Sequence, residues 1–389
     1  MMSGTSVNLI LIDQEYTTAN HKFFWKEFAE EDGNITIVVN ISADYVVSVI
    51  RHKLYRIKEA KKGAMMIGPG MYLMRPLFLL RHEVLPLSLL FSKPVKRYYQ
   101  NKFWKSVSAI VPDILNRNVF MLSYSSSWLD ILAGSHPHLK SAYYLYDEFR
   151  HNPDGTVHPK RTAMDIMACQ QAGIILAMSE KLLENRKEFT DKIKVFGNGA
   201  SAALFQDVKP MEHFPNSVGI IGNIRNWIDK ELLLSLIQKN PDVTFIFAGP
   251  VEADMQIYLD GLLTLSNVKY LGAFKKEDVP SVYTMVDCVI VPYMQNGFIQ
   301  STRPIKIVEA IFAGTPVVTI PVSGYKECDF LRFASDPESF GAQVRYAIEH
   351  PISRDCVEYK SFVSENSWEG KAVELKTIKY SLFNDPSDN

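Results

Sequence analysis

The chain has 389 residues, is 47% hydrophobic and 22% charged, and carries a formal net charge of −1. Those values exclude a globally disordered chain and leave no bulk charge with which to hold a polyanion. The four cysteines, Cys169, Cys288, Cys328 and Cys356, are widely spaced with no CxxC pair, which excludes a disulfide framework and fits a reducing compartment.

The length predicts two or more domains. Residues 1–200 hold 25 Lys+Arg against 19 Asp+Glu, and residues 201–389 hold 17 against 24, so the halves carry +6 and −7. Halves of opposite sign are expected to do different jobs. The start, MMSGTSVNLILIDQEY, lacks a basic segment, so no secretory signal is expected. The most apolar stretch lies near 64–91, but Arg75, Arg81, Glu83 and three prolines interrupt it, which argues against a transmembrane helix.

In chain order, VNLILID (7–13) predicts a strand and HKFFWKEFAEE a helix; ITIVVNI (35–41) is the next strand. Residues 51–95 read as irregular, followed by a helix near 96–115. Strands are expected at 118–124, 141–147, 173–179 and 193–199, with Ser179 placed to cap the helix after it. The pattern restarts at 217. Strands are predicted in SVGIIGN, VTFIFAGP, VKYLGAF, DCVIVPYM, TPVVTIP and FLRFASD, with helices between them and a last helix in SWEGKAVELKTIKYSLF. Continuous apolar strands alternating with helices imply parallel sheets covered on both faces. Two such series predict an α/β chain of two Rossmann-like, doubly wound domains facing a cleft, with ligands at the carboxyl ends of the strands.

Several residues carry candidate chemistry at those ends. Gly222 and Asn223 follow the first strand of the second series, where glycine lets backbone N–H groups approach a phosphate and Arg225 could pair with it. A tight strand-to-helix turn is the alternative. In STRPIKIVEAIFAGTPVVTIP (301–321), Ser301 or Thr302 is expected to cap a helix that has Pro304 in its first turn. Lys306 then sits where a cation is disfavoured unless an anion joins it. Glu309 lies one turn on, on the same face. The two could form an i,i+3 salt bridge, or Lys306 could hold a diphosphate while Glu309 accepts from ribose hydroxyls. YLYDEF places Asp147 and Glu148 at a strand end, suited to take a proton from an attacking hydroxyl, or else to cap the next segment or bind Arg150. Asp13, Glu15, Tyr16 and His21 follow the first strand; His21 is a candidate base or a plain helix-start residue. His136 and His138 read as a surface turn, and no metal site is predicted.

Residues 268–318 (VKYLGAF through AGTPVV) resemble the donor half of GT-B glycosyltransferases of the group 1, family-4-like kind. VFGNGAS resembles the interdomain motif of that family, at Asn198 and Gly199, and YLYDEF an acceptor-lobe motif. The resemblance implies a GT-B fold: an acceptor domain over 1–198, a sugar-nucleotide domain over 199–365, and a helix at 366–389 packing back on the first. It implies a nucleotide-diphosphate-sugar donor, no further cofactor and a glycan or glycolipid acceptor. The donor would be held by Gly222, Asn223, Arg225, Arg303, Lys306 and Glu309. Many relatives carry two glutamates eight residues apart; Glu309 matches the second, but Ser301 stands at the first. The Lys-x-x-Glu form resembles a subgroup acting on membrane-linked polysaccharide intermediates, which implies Asp147 as base and leaves the stereochemistry open. A sugar-nucleotide epimerase and a non-catalytic sugar-nucleotide-binding subunit remain alternatives.

Residues 51–105 hold 13 Lys+Arg against Glu59 and Glu83, interleaved with Tyr72, Phe78, Phe91, Tyr98, Tyr99, Phe103 and Trp104. Beside that resemblance the segment predicts attachment to an anionic membrane surface, hence a cytoplasmic, peripheral location, and not nucleic-acid binding. A solvated face over an ordinary core is the alternative.

Overall fold

The computed structural model describes residues 6–16, 21–30, 33–152, 156–209 and 211–384. Residues 17–20 of the loop after the first strand, 153–155 of the segment after Asp147 and the last five residues lie outside these. The chain divides into two compact units. The first comprises Met1–Met178, Leu182–Phe196 and Ala372–Asn389; the second comprises Ser179–Lys181 and Gly197–Lys371. The crossing back falls inside the helix Trp368–Phe383.

The first unit has one sheet of eight strands: β1 Val7–Ile12, β2 Ile35–Asn40, β3 Met65–Gly68, β4 Met71–Met74, β5 Val119–Ser123, β6 Leu139–Leu145, β7 Ile174–Ala177 and β8 Ile193–Val195. Their order is β3-β4-β2-β1-β5-β6-β7-β8, parallel throughout except for the β3–β4 hairpin. β1 and β5 are buried along their whole length, as both faces are covered. The order runs outward in opposite directions from β1 and β5, so a crevice forms where their carboxyl ends part.

The second unit has six parallel strands: β9 Ser217–Ile221, β10 Thr244–Ala248, β11 Val268–Tyr270, β12 Cys288–Val291, β13 Val317–Thr319 and β14 Leu331–Phe333. Their order, β11-β10-β9-β12-β13-β14, reverses between β9 and β12.

Every apolar run expected to be a strand contains one. Residues 51–95 are not irregular. They hold the helix Leu54–Lys61, the β3–β4 hairpin and short turns of helix at 82–84 and 87–90. Three of the aromatics expected on a basic surface are core residues: Phe78, Tyr99 and Phe103 are buried around Trp128, with ring centroids 5.0, 6.1 and 5.6 Å away. The helix Lys93–Ser108 explains this, because Tyr99, Phe103 and Val107 recur every four residues and form its buried stripe. Lys93, Lys102 and Lys105 are exposed, while Lys96 lies along the stripe and pairs with the buried Asp130 at 2.7 Å.

The capping expectation for the 305–313 helix also changes. Ser301 ends a separate helix, Gly297–Ser301, and its hydroxyl donates to the Gly297 carbonyl at 2.9 Å. Thr302 donates to the Ile299 carbonyl at 2.7 Å. Pro304 is the N-cap of Ile305–Ala313, with no side-chain cap hydrogen bond. Ser179 donates to the Ser301 carbonyl at 2.9 Å.

Candidate functional site

In the second unit the strand ends around β9 are built from glycine. Gly222 (φ +97°) follows β9, Gly249 (φ +134°) follows β10 and Gly272 (φ +82°) follows β11. Gly249 donates its N–H to the Gly272 carbonyl at 2.8 Å, and Gly222 donates to the Ala248 carbonyl at 2.9 Å. A Cβ on Gly249 would lie 2.2 Å from the Gly222 carbonyl oxygen, so the two turns close on each other only because Gly249 carries no side chain. A Cβ on Gly222 would lie 3.5 Å from Lys306 Nζ, which puts the lysine amine directly over this turn. Gly222 and Lys306, both candidates from the sequence, therefore lie side by side. Asn223 is exposed at the same turn.

Lys306 is the second residue of Ile305–Ala313, inside the end of the helix whose free N–H groups carry partial positive charge. Among the described residues no carboxylate lies within ion-pair distance of it. Its amine sits over the Tyr293 ring, 5.3 Å from the centroid. The i,i+3 salt bridge with Glu309 does not form. Glu309 instead takes the Tyr283 hydroxyl on Oε2 at 3.1 Å, and its Oε1 accepts nothing from the described residues. Burial raises the Glu309 carboxyl above its usual range, opposed by the Tyr283 hydroxyl and the Lys306 charge. Tyr283 is held in turn by packing and by Thr315, which donates to its carbonyl at 2.8 Å.

Two expected phosphate ligands have other partners. Arg225 pairs with Glu252 at 3.3 Å and lies over the Trp227 ring at 4.6 Å. Arg303 donates to Asn366 Oδ1 at 2.7 Å and to the Asn198 carbonyl at 3.4 Å, and stacks on Tyr325 at 4.6 Å. A Cβ on Gly197 would fall inside its guanidinium, so Arg303 braces the 197–198 segment against 324–325 and 366. The residues missed from the sequence are Gly249, Gly272, Tyr283, Tyr293 and Trp227. A glycine within two residues of a strand end, in FAGP and YLG, was the readable signal for the first two.

In the first unit Asp147 and Glu148 follow β6 by two and three residues, and they differ sharply. Glu148 is buried and accepts from Arg186 Nη1 and Nη2 (both 3.2 Å), Asn185 Nδ2 (2.9 Å) and the Arg150 N–H (2.9 Å). Arg186, itself fully buried, also donates to Asp165 at 3.0 Å. Against the penalty of burial, these donors hold the Glu148 carboxyl down at about 2. Its oxygens are committed to a buried ion pair, a poor position for a base. Asp147 is half-buried; its Oδ1 accepts the Glu148 N–H at 2.8 Å. Burial raises its carboxyl, and the nearby Glu148 charge adds to that. His21 packs among Trp25, Tyr124 and Tyr144, with centroids 6.2, 5.2 and 5.5 Å away. Burial lowers its imidazole to about 4, so it is neutral and weakly basic at ordinary pH. His136, from the two-histidine turn, hydrogen-bonds the Ile114 carbonyl at 3.0 Å and stacks near Trp104. No group of three or more His, Cys, Asp or Glu with metal-holding geometry occurs among the described residues.

Residues 215–350 match the family described as Glycosyl transferases group 1. Over 161 residues the chain is 33% identical to TuaH of Bacillus subtilis (strain 168), a protein named for a glycosyltransferase role in teichuronic acid biosynthesis. That match spans 40% of this chain and 40% of TuaH. The structure resembles a sucrose-phosphate synthase from Thermosynechococcus elongatus at a TM-score of 0.64 and 12% identity, covering 97% of this chain and 99% of that one. It also resembles Anabaena HepE in complex with UDP and glucose, at 0.56 and 16%, covering 96% and 99%. At such identities the likeness is one of fold. The order of strands and the structural likeness agree on the GT-B fold for the chain, and within it residues 215–350 match the group 1 glycosyltransferases.

Proposed function

We propose that the chain transfers a sugar from a nucleoside-diphosphate sugar to a hydroxyl of a glycan precursor. One observation carries this reading: Lys306 stands at a helix N-terminus beside the Gly222 turn with no carboxylate partner among the described residues. A cation left unpaired against a positive helix end is stabilised by an anion that touches both. A diphosphate is such a group, and as leaving group it gains negative charge during transfer, so the same contacts favour the transition state. Glu309 Oε1 is open to accept from ribose hydroxyls, and Tyr283 fixes that carboxylate in place. The Asn223 N–H can meet the phosphates, and Gly222, whose own N–H is held by the Ala248 carbonyl, lets them come close because it has no side chain. Arg225 and Arg303 drop out of the donor set, because their guanidinium groups are already engaged. HepE, whose fold this chain shares, binds UDP and glucose, which makes UDP-sugars the first donors to test.

On the acceptor side the reading assigns Asp147 as the base, with Glu148 holding the segment that carries it. The acceptor we propose is a lipid-linked precursor at a membrane surface. In support, Tyr45, Val49, Ile50, Leu54, Met65 and Met66 are all exposed, Ile50 by 70% and Met66 by 64%. Arg51, Lys53, Lys58, Lys61 and Lys62 are exposed among them. Apolar side chains flanked by cations suit an anionic bilayer surface. No helix among the described residues is long and apolar enough to cross a membrane.

The test is incubation of the purified chain with labelled UDP-sugars and a bacterial membrane extract. Label is expected in a lipid-extractable product. Lys306→Ala is expected to weaken UDP binding about 10- to 100-fold, the worth of one charge-assisted hydrogen bond. Release of UDP without a glycosylated product, or recovery of an epimerised donor, overturns the reading.

A further inference from the structure

The first unit has a cavity of its own at its switch point. Its volume is about 510 Å³, and it opens where β1 and β5 part, lined by Asp13 after β1, Ser42 after β2 and Ser125 and Ser126 after β5. Open α/β sheets bind ligands in this crevice, because diverging connections leave a gap at the carboxyl ends of two adjacent strands. Its polar lining is of two kinds. Asp13 and Glu83 supply carboxylates, while Arg81, Lys160 and Arg161 supply cations.

The cations are unequal. Arg81 is neutralised by the buried Asp44 at 3.0 Å. Lys160 donates only to backbone, to the carbonyls of Glu83 at 2.5 Å and Leu85 at 2.6 Å. Arg161 donates to the side-chain oxygen of Asn152. Neither Lys160 nor Arg161 has a carboxylate within ion-pair distance among the described residues, and the Arg161 Nε–H is buried with no acceptor. A buried guanidinium N–H without an acceptor is costly, and an anion in the cavity relieves it. The carboxylates are held but not filled: Ser127 donates to Glu83 Oε1 at 2.9 Å, and the Tyr146 hydroxyl bonds Asp13. Desolvation raises both carboxyls, so they too gain from new hydrogen-bond donors. Phe149, Tyr124 and Met164 give the remaining wall an apolar character suited to the face of a sugar ring.

We propose that this cavity binds a phosphorylated sugar, with Arg161 and Lys160 on the phosphate and Asp13 and Glu83 accepting from ring hydroxyls. As the acceptor end of the transfer it rests on the function proposed above; as a binding site it does not need the donor. The phosphate can come from a free sugar phosphate or from the phosphate that joins a glycan to its lipid carrier.

Isothermal titration of the full chain with glucose 1-phosphate, inorganic phosphate and glucose, all without donor, tests the assignment. Glucose 1-phosphate is expected to bind, and more tightly than either fragment. Arg161→Gln is expected to weaken it about tenfold or more, and Asp13→Asn to weaken glucose 1-phosphate but not inorganic phosphate. UDP binding, read on the same samples by thermal shift, reports that each variant is folded and is expected to be unchanged. Absence of glucose 1-phosphate binding overturns the site, as does binding that Arg161→Gln and Asp13→Asn leave intact. If a short-chain polyprenyl-phosphate sugar competes with glucose 1-phosphate, the lipid-carried source is indicated; failure to compete points to the free sugar phosphate. Loss of UDP binding in the wild-type chain with glucose 1-phosphate binding intact sinks the donor reading and spares this one.

Discussion

The Asp147 carboxylate is half-buried beside a second carboxylate, and its neighbour Glu148 meets a guanidinium that never reaches water. Burial alone would push both carboxyls up. For Glu148 the two Arg186 contacts, the Asn185 amide and the Arg150 N–H reverse the sign, so it remains charged down to about pH 2. Its folded value is depressed from 4.5, so it stabilises the fold above about pH 4.5, and that contribution is lost as the pH falls through about 2. Asp147 is raised from 3.8, so its ionised form costs some stability and is the more basic of the two. If Asp147 takes the acceptor proton, the acid limb of the rate profile lies above pH 3.8. Asp147→Asn removes that limb and slows transfer by about 10²- to 10⁴-fold, which steady-state rates across pH will show. Arg186→Met leaves Glu148 and Asp165 charged without their shared partner. The expected loss is about 3–5 kcal/mol, read by urea denaturation.

At the scale of elements, the strands were legible because buried parallel strands are apolar at nearly every position, with the few exceptions such as Asn8 and Ser123 hydrogen-bonded, and such short runs, bounded by turn residues, are too brief for most helices. β1, β5 and β12 are buried end to end. Residues 45–66 escaped because their apolar side chains are exposed and their helices and strands are short, so neither period is sustained. Lys306 and Glu309 were legible as a pair because both lie on one short helix. Arg303 was not: its partner Asn366 is 63 residues away, and no local pattern records such a contact. The pairing of Arg225 with Glu252 was unreadable for the same reason. The glycine turns lie between these cases, since their positions were readable and their mutual contact was not. Gly249→Ala forces a Cβ against the Gly222 carbonyl and is expected to cost about 1–3 kcal/mol and to disturb UDP binding. Gly222→Ala meets no backbone, only the movable end of Lys306, so its stability loss is expected to be the smaller while UDP binding still weakens. Thermal melts with and without UDP separate the two effects.

For the whole molecule the uneven charge decides how it meets a surface. Residues 201–389 carry −7 and are repelled by anionic lipid, whereas residues 1–200 carry +6 with a dense cationic run at 51–62. The proposed attachment to a membrane therefore falls to the first unit. Of the aromatics expected to anchor it, Phe78, Tyr99 and Phe103 are core, so much of the apolar contribution has to come from Tyr45, Val49, Ile50, Leu54, Met65 and Met66. The two contributions are separable. Each basic residue near an anionic bilayer contributes about 1 kcal/mol, so Arg51→Gln with Lys53→Gln is expected to weaken vesicle binding about thirtyfold. That loss should fade at 1 M salt, where the screening length is about 3 Å. Ile50→Ser with Met66→Ser leaves every charge in place and is expected to weaken binding at both salt concentrations. Co-sedimentation with phosphatidylglycerol vesicles measures both. If neither pair of substitutions changes the bound fraction, the exposed residues of 45–66 do not meet lipid, and the proposed acceptor reaches the chain from solution.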